Sequence, residues 1–441
     1  MIALPFARGQ RYAVMGLDKS GLPAVKALLA AGAQVSAWDD NPAQLTIAQS
    51  LGAQIEDLSS VDPRHYTGLV LTPGIPHRLP KPHPVATNFK DCPILCDIEL
   101  FAQTQPVARI VGITGTDGKS TTTALIGHIL KNAGVPCAVG GNFGTSPLDL
   151  PDLPRTGVYV LELSSYQLER CPSLAVDIGI LLNLTPDHLD RHGDMAGYAA
   201  AKANLFKTHK PGAMAIYGTE DHYTQGIGEA ARHRGWTGVA LTIADTHRGL
   251  NLLSLPTLQG AHNRQNAIAA IETCVALGLG LSAIEAGLMD FPGLPHRQQY
   301  VAQLENIAFI NDSKATNANA ASKALGCFDN IYWIAGGQPK TGGLTGLESY
   351  IPRIRQAFLI GQAEDEFASW CAQNNLGHQR CGTLEQAVAA AVSAARRDNP
   401  ANAVILLSPA CASWDQFKSY EHRGQTFIAL AQAHAQEAKQ A

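Results

Sequence analysis

The chain carries little charge for its length, and that charge is nearly balanced. Of 441 residues, 16% are Asp, Glu, Lys or Arg, and the formal net charge is −4. A nucleic-acid partner needs a basic face, so that class is disfavoured. An anionic ligand must instead be met by local Arg, Lys and backbone N–H groups. No window reaches the ~20 apolar residues of a membrane span. The opening stretch MIALPFARGQRYAV lacks the apolar core of a secretory signal. The nine cysteines form no C-x-x-C pair, and Cys92 and Cys96 are too isolated for a zinc site. Reduced thiols in a cytoplasmic protein are the expectation.

What is present is apolar surface: 46% of residues are hydrophobic, enough for large cores. Short apolar runs alternate with helical patterns throughout. Examples are RYAVMG, ARIVGIT, VYVLEL, DIGILLNL, IAFIND, IYWIAGG, AFLIGQ and AVILLSP. This alternation implies an α/β fold with parallel sheets covered on both faces. No repeat of solenoid period stands out. Two Pro-rich stretches read as linkers: LPKPHPVATNFKDCP, ending near Pro93, and FPGLPHRQQ, Pro292 to Gln299. They divide the chain into blocks 1–94, 95–297 and 298–441.

The strongest signal is GITGTDGKSTTTALIGHIL, from Gly112 to Leu130. Ile110 to Ile113 reads as a strand end. A helix is expected from Thr121, with Leu125, Ile126, Ile129 and Leu130 on one face. Gly115, Thr116, Asp117, Gly118, Lys119 and Ser120 would then form the loop between them. Backbone N–H groups and a helix N-terminus favour an anion there. Lys119 would reach the β- and γ-phosphates of a nucleotide, and the Ser120 hydroxyl would touch Mg²⁺. The general phosphate-loop template wants glycine at Ile113, whereas Gly112 sits one place early. A guanine-reading Asn-Lys-x-Asp is missing, which disfavours signalling GTPases.

Other polar clusters follow strand-like runs. Glu162 ends an apolar strand, where a carboxylate can hold Mg²⁺ beside a phosphate loop. Asp187 and His188 follow ILLNLTP at another strand end, where parallel sheets bind ligands. Lys202, in GYAAAKANLF, reads from composition as a surface lysine. Asn263 and Asn266 lie one turn apart at a helix start, as caps or as readers of adenine or phosphate. NDSKATNANA, AGGQPKTGG and SPACASWDQF each follow a strand and together suggest a binding rim. The first block opens with MGLDKSG and has Asp39-Asp40 some twenty residues on, as in dinucleotide folds. Asp18 occupies the central glycine position of that fingerprint, which disfavours NAD and a nicotinamide oxidoreductase. LVLTPGIP adds a second strand and glycine turn.

Taken together, these strings resemble the Mur ligases over essentially the whole chain. GTDGKST is similar to the family's ATP loop, with Asp117 where Asn is usual. ELSSYQLE, NLTPDHLDRHG, GYAAAKANLF, GAHNRQN and LPHR resemble its central strings. NDSKATN, GGQPK and SPACASWDQFKSYEHRG resemble the member that adds D-glutamate. The resemblance implies three domains: Rossmann-like, P-loop ATPase-like on a parallel sheet, and Rossmann-like again. It implies a cytoplasmic monomeric enzyme acting on small molecules, UDP-N-acetylmuramoyl-L-alanine and D-glutamate, in peptidoglycan synthesis. ATP and two Mg²⁺ ions are implied. Gly115 to Thr121, Asn263, Asn266, Arg297 and Asp312 would serve ATP, and Ser120, Glu162, His188 and Lys202 the metals. Lys202 matches a carbamylated lysine, against the surface reading. Lys119, His188 and Lys202 would be catalytic, with His188 a candidate base. Gly16, Leu17, Asp18, Asp39, Thr72, Pro73 and Gly74 would hold the UDP moiety, and Asn142 would contact the substrate. Lys314, Thr316, Lys340, Ser413 and Tyr420 would gather the glutamate carboxylates. An acyl phosphate must be kept from water, so the third block is expected to close over the second about Arg297 to Gln299. Another amide ligase, such as a folylpolyglutamate synthetase, and a non-ligating nucleotide-binding protein are the alternatives.

Overall fold

Two all-parallel sheets share one compact part of the chain. The computed structural model describes residues 1–340 and 342–440. It divides into a unit of Met1–Leu252 with Arg264–Asp290, and a unit of Leu253–Asn263 with Phe291–Ala441.

In the first unit, five strands lie in the order Gln54–Ile55, Gln34–Trp38, Arg11–Met15, Gly68–Leu71, Ile94–Leu95. Every pairing is parallel. The Pro-rich stretch before Pro93 is not an open linker. It contains the helix Pro84–Asn88, with Pro at its first position, where a missing N–H costs nothing. Val85, Ala86 and Phe89 are buried there against Leu69 and Leu71.

A six-stranded parallel sheet follows in the same unit. Its order is Thr237–Leu241, Thr208–Gly218, Ala175–Leu181, Arg109–Thr114, Val158–Glu162, Cys137–Gly141. Arg109–Thr114 is therefore central, and five of its six residues are buried. Gly112 lies inside this strand. A Cβ there would meet Leu205 Cδ1 at 2.9 Å and Leu163 Cδ1 at 3.1 Å. It is a packing glycine, not a displaced phosphate glycine.

The second unit has a six-stranded sheet ordered Gln299–Leu304, Ile307–Asn311, Ala403–Leu407, Ile331–Gly336, Ile354–Ile360, His378–Gly382. Its first pair is antiparallel and the remainder parallel. One edge departs from the parallel pattern for a local reason. Only Glu305 and Asn306 separate the first two strands, with Glu305 at φ +52°, and so short a turn permits only a hairpin. All nine cysteines are free. Among the described residues, no helix is long and apolar enough to cross a membrane.

Candidate active site

The strand Arg109–Thr114 runs into Gly115–Gly118, and the next helix is Lys119–Asn132. It starts two residues before the apolar periodicity shows. Lys119, Ser120 and Thr121 thus form its first turn, where N–H groups lack helical partners. Gly118 precedes it at φ +84°, and a Cβ would meet Asn266 Oδ1 at 2.2 Å. Only glycine satisfies both demands.

Asn183, which sequence reading passed over, braces the loop. Its carbonyl accepts from Thr116 N at 2.9 Å, and its Oδ1 accepts from Asp117 N at 2.8 Å. Asp117 is half-buried. Thr122 donates to Asn266 Oδ1 at 3.2 Å. Lys119 folds back over the loop, donating to Gly115 O at 3.0 Å and Thr116 O at 2.8 Å.

Glu162 pairs in register with Ile113 on the neighbouring strand, which sets it beside the base of the loop. It is buried, not a strand-end acid in solvent. Asn142, in the turn after Cys137–Gly141, donates to its Oε1 at 2.7 Å. The buried Oε2 has no hydrogen-bond partner.

Lys202 lies in the helix Met195–Ala203 and is also buried, contrary to its reading from composition. Its Nζ donates to Gly115 O at 2.8 Å and Thr114 Oγ1 at 3.3 Å, and stands 4.8 Å from the Tyr198 ring centroid. Burial, and then the charge of Lys119, hold this amine well below its ordinary pKa. His188 is exposed, with its ring 6.5 Å from the Tyr198 ring and 5.0 Å from the Tyr166 ring. Tyr198 Oη lies 3.2 Å from Thr116 Oγ1, so one tyrosine touches the loop, Lys202 and the His188 side of the site. Nothing in the sequence around Tyr198 marked it.

The residues of the first sheet gather at the C-terminal ends of three strands, Arg11–Met15, Gln34–Trp38 and Gly68–Leu71. Leu17 N donates to Asp39 Oδ2 at 2.6 Å, and Thr72 Oγ1 donates to Gly16 O at 2.8 Å. Asp18 is exposed in the same turn. Thr72 and Pro73, with the flanking Leu71 and Ile75, are held by a third residue that sequence reading missed. Arg170, buried, donates to Leu71 O at 2.9 Å, Thr72 O at 3.3 Å, Pro73 O at 3.3 Å and Ile75 O at 2.8 Å.

In the second unit, the loops after Ile307–Asn311, Ala403–Leu407 and Ile331–Gly336 leave three adjacent strands at one edge. Asp312 is buried; its Oδ2 accepts from Ser408 Oγ at 2.8 Å and its Oδ1 from Gln298 N at 3.2 Å. Burial pushes its carboxyl up to about 7, with the nearby Arg297 opposing. Lys314 Nζ and Tyr420 Oη meet at 3.2 Å, and Thr316 N donates to Lys314 O. Ser413 is buried, Thr316 half-buried and Lys340 exposed. Arg423 braces the rim, donating to Ser313 O at 2.8 Å and Cys411 O at 3.0 Å. Asn263 Nδ2 donates to Gln259 O at 2.9 Å.

A glycine loop between a central parallel strand and a helix, with Lys-Ser in the first turn, defines a phosphate-loop nucleotide enzyme. Residues 113–274 match the Mur ligase middle domain. The chain is 48% identical over 98% of both lengths to UDP-N-acetylmuramoylalanine--D-glutamate ligase of Paramagnetospirillum magneticum. It is 47% identical to the protein of that name from Rhodospirillum rubrum, covering 96% of this chain and 94% of the relative. The solved UDP-N-acetylmuramate-alanine ligase of Thermotoga maritima shares the fold, with a TM-score of 0.58 at 18% identity over 96% of this chain and 99% of that one. The chain belongs to the UDP-N-acetylmuramoylalanine--D-glutamate ligase family, whose members are ATP-dependent Mur ligases.

Proposed function

We propose that this enzyme joins D-glutamate to UDP-N-acetylmuramoyl-L-alanine through an acyl phosphate, with ATP held on the loop from Gly115 to Thr121. The observation that carries the reading is the convergence on that loop of Lys119, buried Lys202 and buried Glu162. A free carboxylate does not acylate an amine, because its oxygen is a poor leaving group. The acceptor's carboxylate attacks the γ-phosphorus of ATP, and ADP leaves. The deprotonated amine of D-glutamate then adds to the acyl carbon, and phosphate departs as the amide forms.

Lys119 exchanges its two loop carbonyls for phosphate oxygens and offsets charge on the transferring group. Asn266, Asn263, Arg297 and Asp312 are assigned to ATP. The unpartnered Oε2 of Glu162 is the feature that fits Mg²⁺, together with the Ser120 hydroxyl. Among the described residues no cluster of three or more His, Cys, Asp or Glu forms a metal cage. That suits Mg²⁺, which uses one or two protein carboxylates plus phosphate oxygens. When bound, Mg²⁺ would neutralise charge on the phosphates. His188 and Lys202 are assigned to a second ion. Only an unprotonated amine adds to CO₂, and burial that lowers the Lys202 pKa favours that form, which supports carbamylation of Lys202.

Gly16, Leu17, Asp18, Asp39 and the Thr72–Gly74 turn are assigned to the UDP moiety, and Asn142 to the sugar-peptide. Lys314, Thr316, Lys340, Ser413 and Tyr420 are assigned to the carboxylates of glutamate. Blocks 1–94, 95–297 and 298–441 would accordingly serve UDP, ATP and the amino acid. The free thiols support a cytoplasmic location, and the enzyme is assigned as a monomer acting on small molecules.

Phosphate release with UDP-N-acetylmuramoyl-L-alanine and amino acids of both hands tests this. Release that requires D-glutamate is expected. Release indifferent to the amino acid would point to a non-ligating nucleotidase and overturn the proposal.

A further inference from the structure

Asp97 opens the helix Asp97–Gln103 and is almost fully buried, at 2% exposure. Burial pushes its carboxyl up to about 6. None of its described partners is a cation. A buried carboxylate without a paired cation is costly, and an apolar side chain of similar size would avoid that cost. What Asp97 has instead is donors from separate segments. Its Oδ1 accepts from Ile98 N at 3.0 Å and Gln167 Nε2 at 3.3 Å, and its Oδ2 accepts from Ser146 Oγ at 3.2 Å.

Each of the two distant partners leads back to Glu162. Gln167 Oε1 accepts from Ser164 N and Ser164 Oγ, both at 3.1 Å, and Gln167 N donates to Ser164 Oγ at 3.2 Å. This reciprocal cap fixes the chain two residues beyond Glu162. Ser146 ends the turn that begins at Asn142. That turn is held by Gly141 N to Thr145 O at 2.9 Å and Asn142 N to Glu162 O at 2.8 Å. Asn142 Nδ2 reaches Glu162 Oε1 at 2.7 Å. Hydrogen bonds and two short stretches of chain, 142–146 and 162–164, together close a ring: Glu162, Asn142, Ser146, Asp97, Gln167, Ser164 and back to Glu162.

We propose that Asp97 is a positioning residue which, through Ser146 and Gln167, locks Asn142 and Glu162 together so that Glu162 Oε2 stays aimed as a preformed metal-binding oxygen. The inference rests on the reading of Glu162 as a Mg²⁺ ligand. Its physical content is that the turn carrying Asn142, which bonds Glu162 Oε1, and the chain just after Glu162 are both held by one buried acceptor. A ligand oriented by outer partners loses metal affinity when they are removed, typically by about 10–100-fold. Asn at position 97 preserves the ring: its Oδ1 keeps the Ile98 and Gln167 donors, and its amide donates to the Ser146 hydroxyl, which also accepts. Ala leaves those donors buried and unanswered.

The test is Mn²⁺ binding, by electron paramagnetic resonance or calorimetry, to the full-length enzyme with a non-hydrolysable ATP analogue. Asp97→Ala is expected to weaken Mn²⁺ by roughly ten-fold or more, and Asp97→Asn by less than about two-fold. Ser146→Ala, which opens one side of the ring, should fall between them and serves if Asp97→Ala does not fold. A cycle with Glu162→Gln separates positioning from general damage. In the Glu162→Gln background, Asp97→Ala (or Ser146→Ala) should cost no further Mn²⁺ affinity. The inference is overturned if the ring variants bind Mn²⁺ like the wild type, or if they weaken it equally with Glu162→Gln already in place. If Glu162→Gln alone leaves Mn²⁺ affinity unchanged, the metal reading of Glu162 fails first, and that outcome is distinct from the other two.

Discussion

Lys119 illustrates how much a single side chain can be read from its neighbours in sequence. Gly-Lys-Ser at a strand-to-helix turn marks it directly, since phosphate binding needs backbone N–H groups and one flexible cation at that spacing. Its present bonds to Gly115 O and Thr116 O show that the charge is already held at the loop. Lys119→Ala should lower D-glutamate-dependent phosphate release by about 10²–10³-fold or more while melting near the wild-type temperature; full activity would remove its role. Lys202 is the opposite case. In composition it is a lysine among alanines, and only burial by the tertiary structure turns it into a depressed amine. Asp312 yields a pH prediction. Its folded pKa of about 7 lies above the ordinary 3.8. The stability linked to its protonated form is fully present below about pH 4 and is lost as pH rises through 7. Asp312→Asn should therefore be progressively more stable than the wild type between pH 4 and 8, by roughly 4 kcal/mol at the upper end. Equal pH dependence of the two melting curves would contradict this.

At the scale of elements, strand, loop and helix were legible because their apolar periods differ and glycines separate them. The helix start was not, since Lys119 and Ser120 are polar and carry no periodic signal. Two glycines within seven residues make different predictions. Gly118→Ala forces a left-handed φ and a collision with Asn266 Oδ1. It should abolish ATP binding, measured calorimetrically, and destabilise by roughly 1–3 kcal/mol. Gly112 lies in the strand, where a methyl group would press on Leu205, Leu163 and Val176. Gly112→Ala should cost a similar ~1–3 kcal/mol by overpacking but leave nucleotide affinity within a few-fold at temperatures where it is folded. If both variants lost ATP equally, the distinction between a conformational and a packing glycine would fail. The hairpin Gln299–Leu304 with Ile307–Asn311 was hidden for another reason. Its outer strand is only partly buried and lacks the apolar run of the parallel strands.

Across the first unit, Arg170 joins the turn after Gly68–Leu71 to the segment that follows Glu162, using four backbone carbonyls. Arg191 adds longer contacts to Ile75 O at 3.4 Å and Leu79 O at 3.5 Å. Burial lowers the Arg170 guanidinium to about 10, so it stays charged at neutral pH. Arg170→Met should fill much of the space yet leave those carbonyls unanswered. A loss of roughly 2–4 kcal/mol is expected, with weaker binding of the UDP substrate and ATP affinity changed far less. A titration showing equal losses for both ligands would argue against this division.

By itself the sequence determined the alternation of strands and helices, the phosphate loop and the family, because apolar period, glycine placement and short polar strings are local properties. The tertiary structure decided which polar residues are buried and what they touch. Glu162 with its open oxygen, Lys202 as a hidden amine, Asn183, Tyr198 and Arg170 as braces, and Asp97 as a buried acceptor all depend on partners that are remote in sequence. Burial and hydrogen-bond satisfaction belong to the packed chain, and no window of residues contains them.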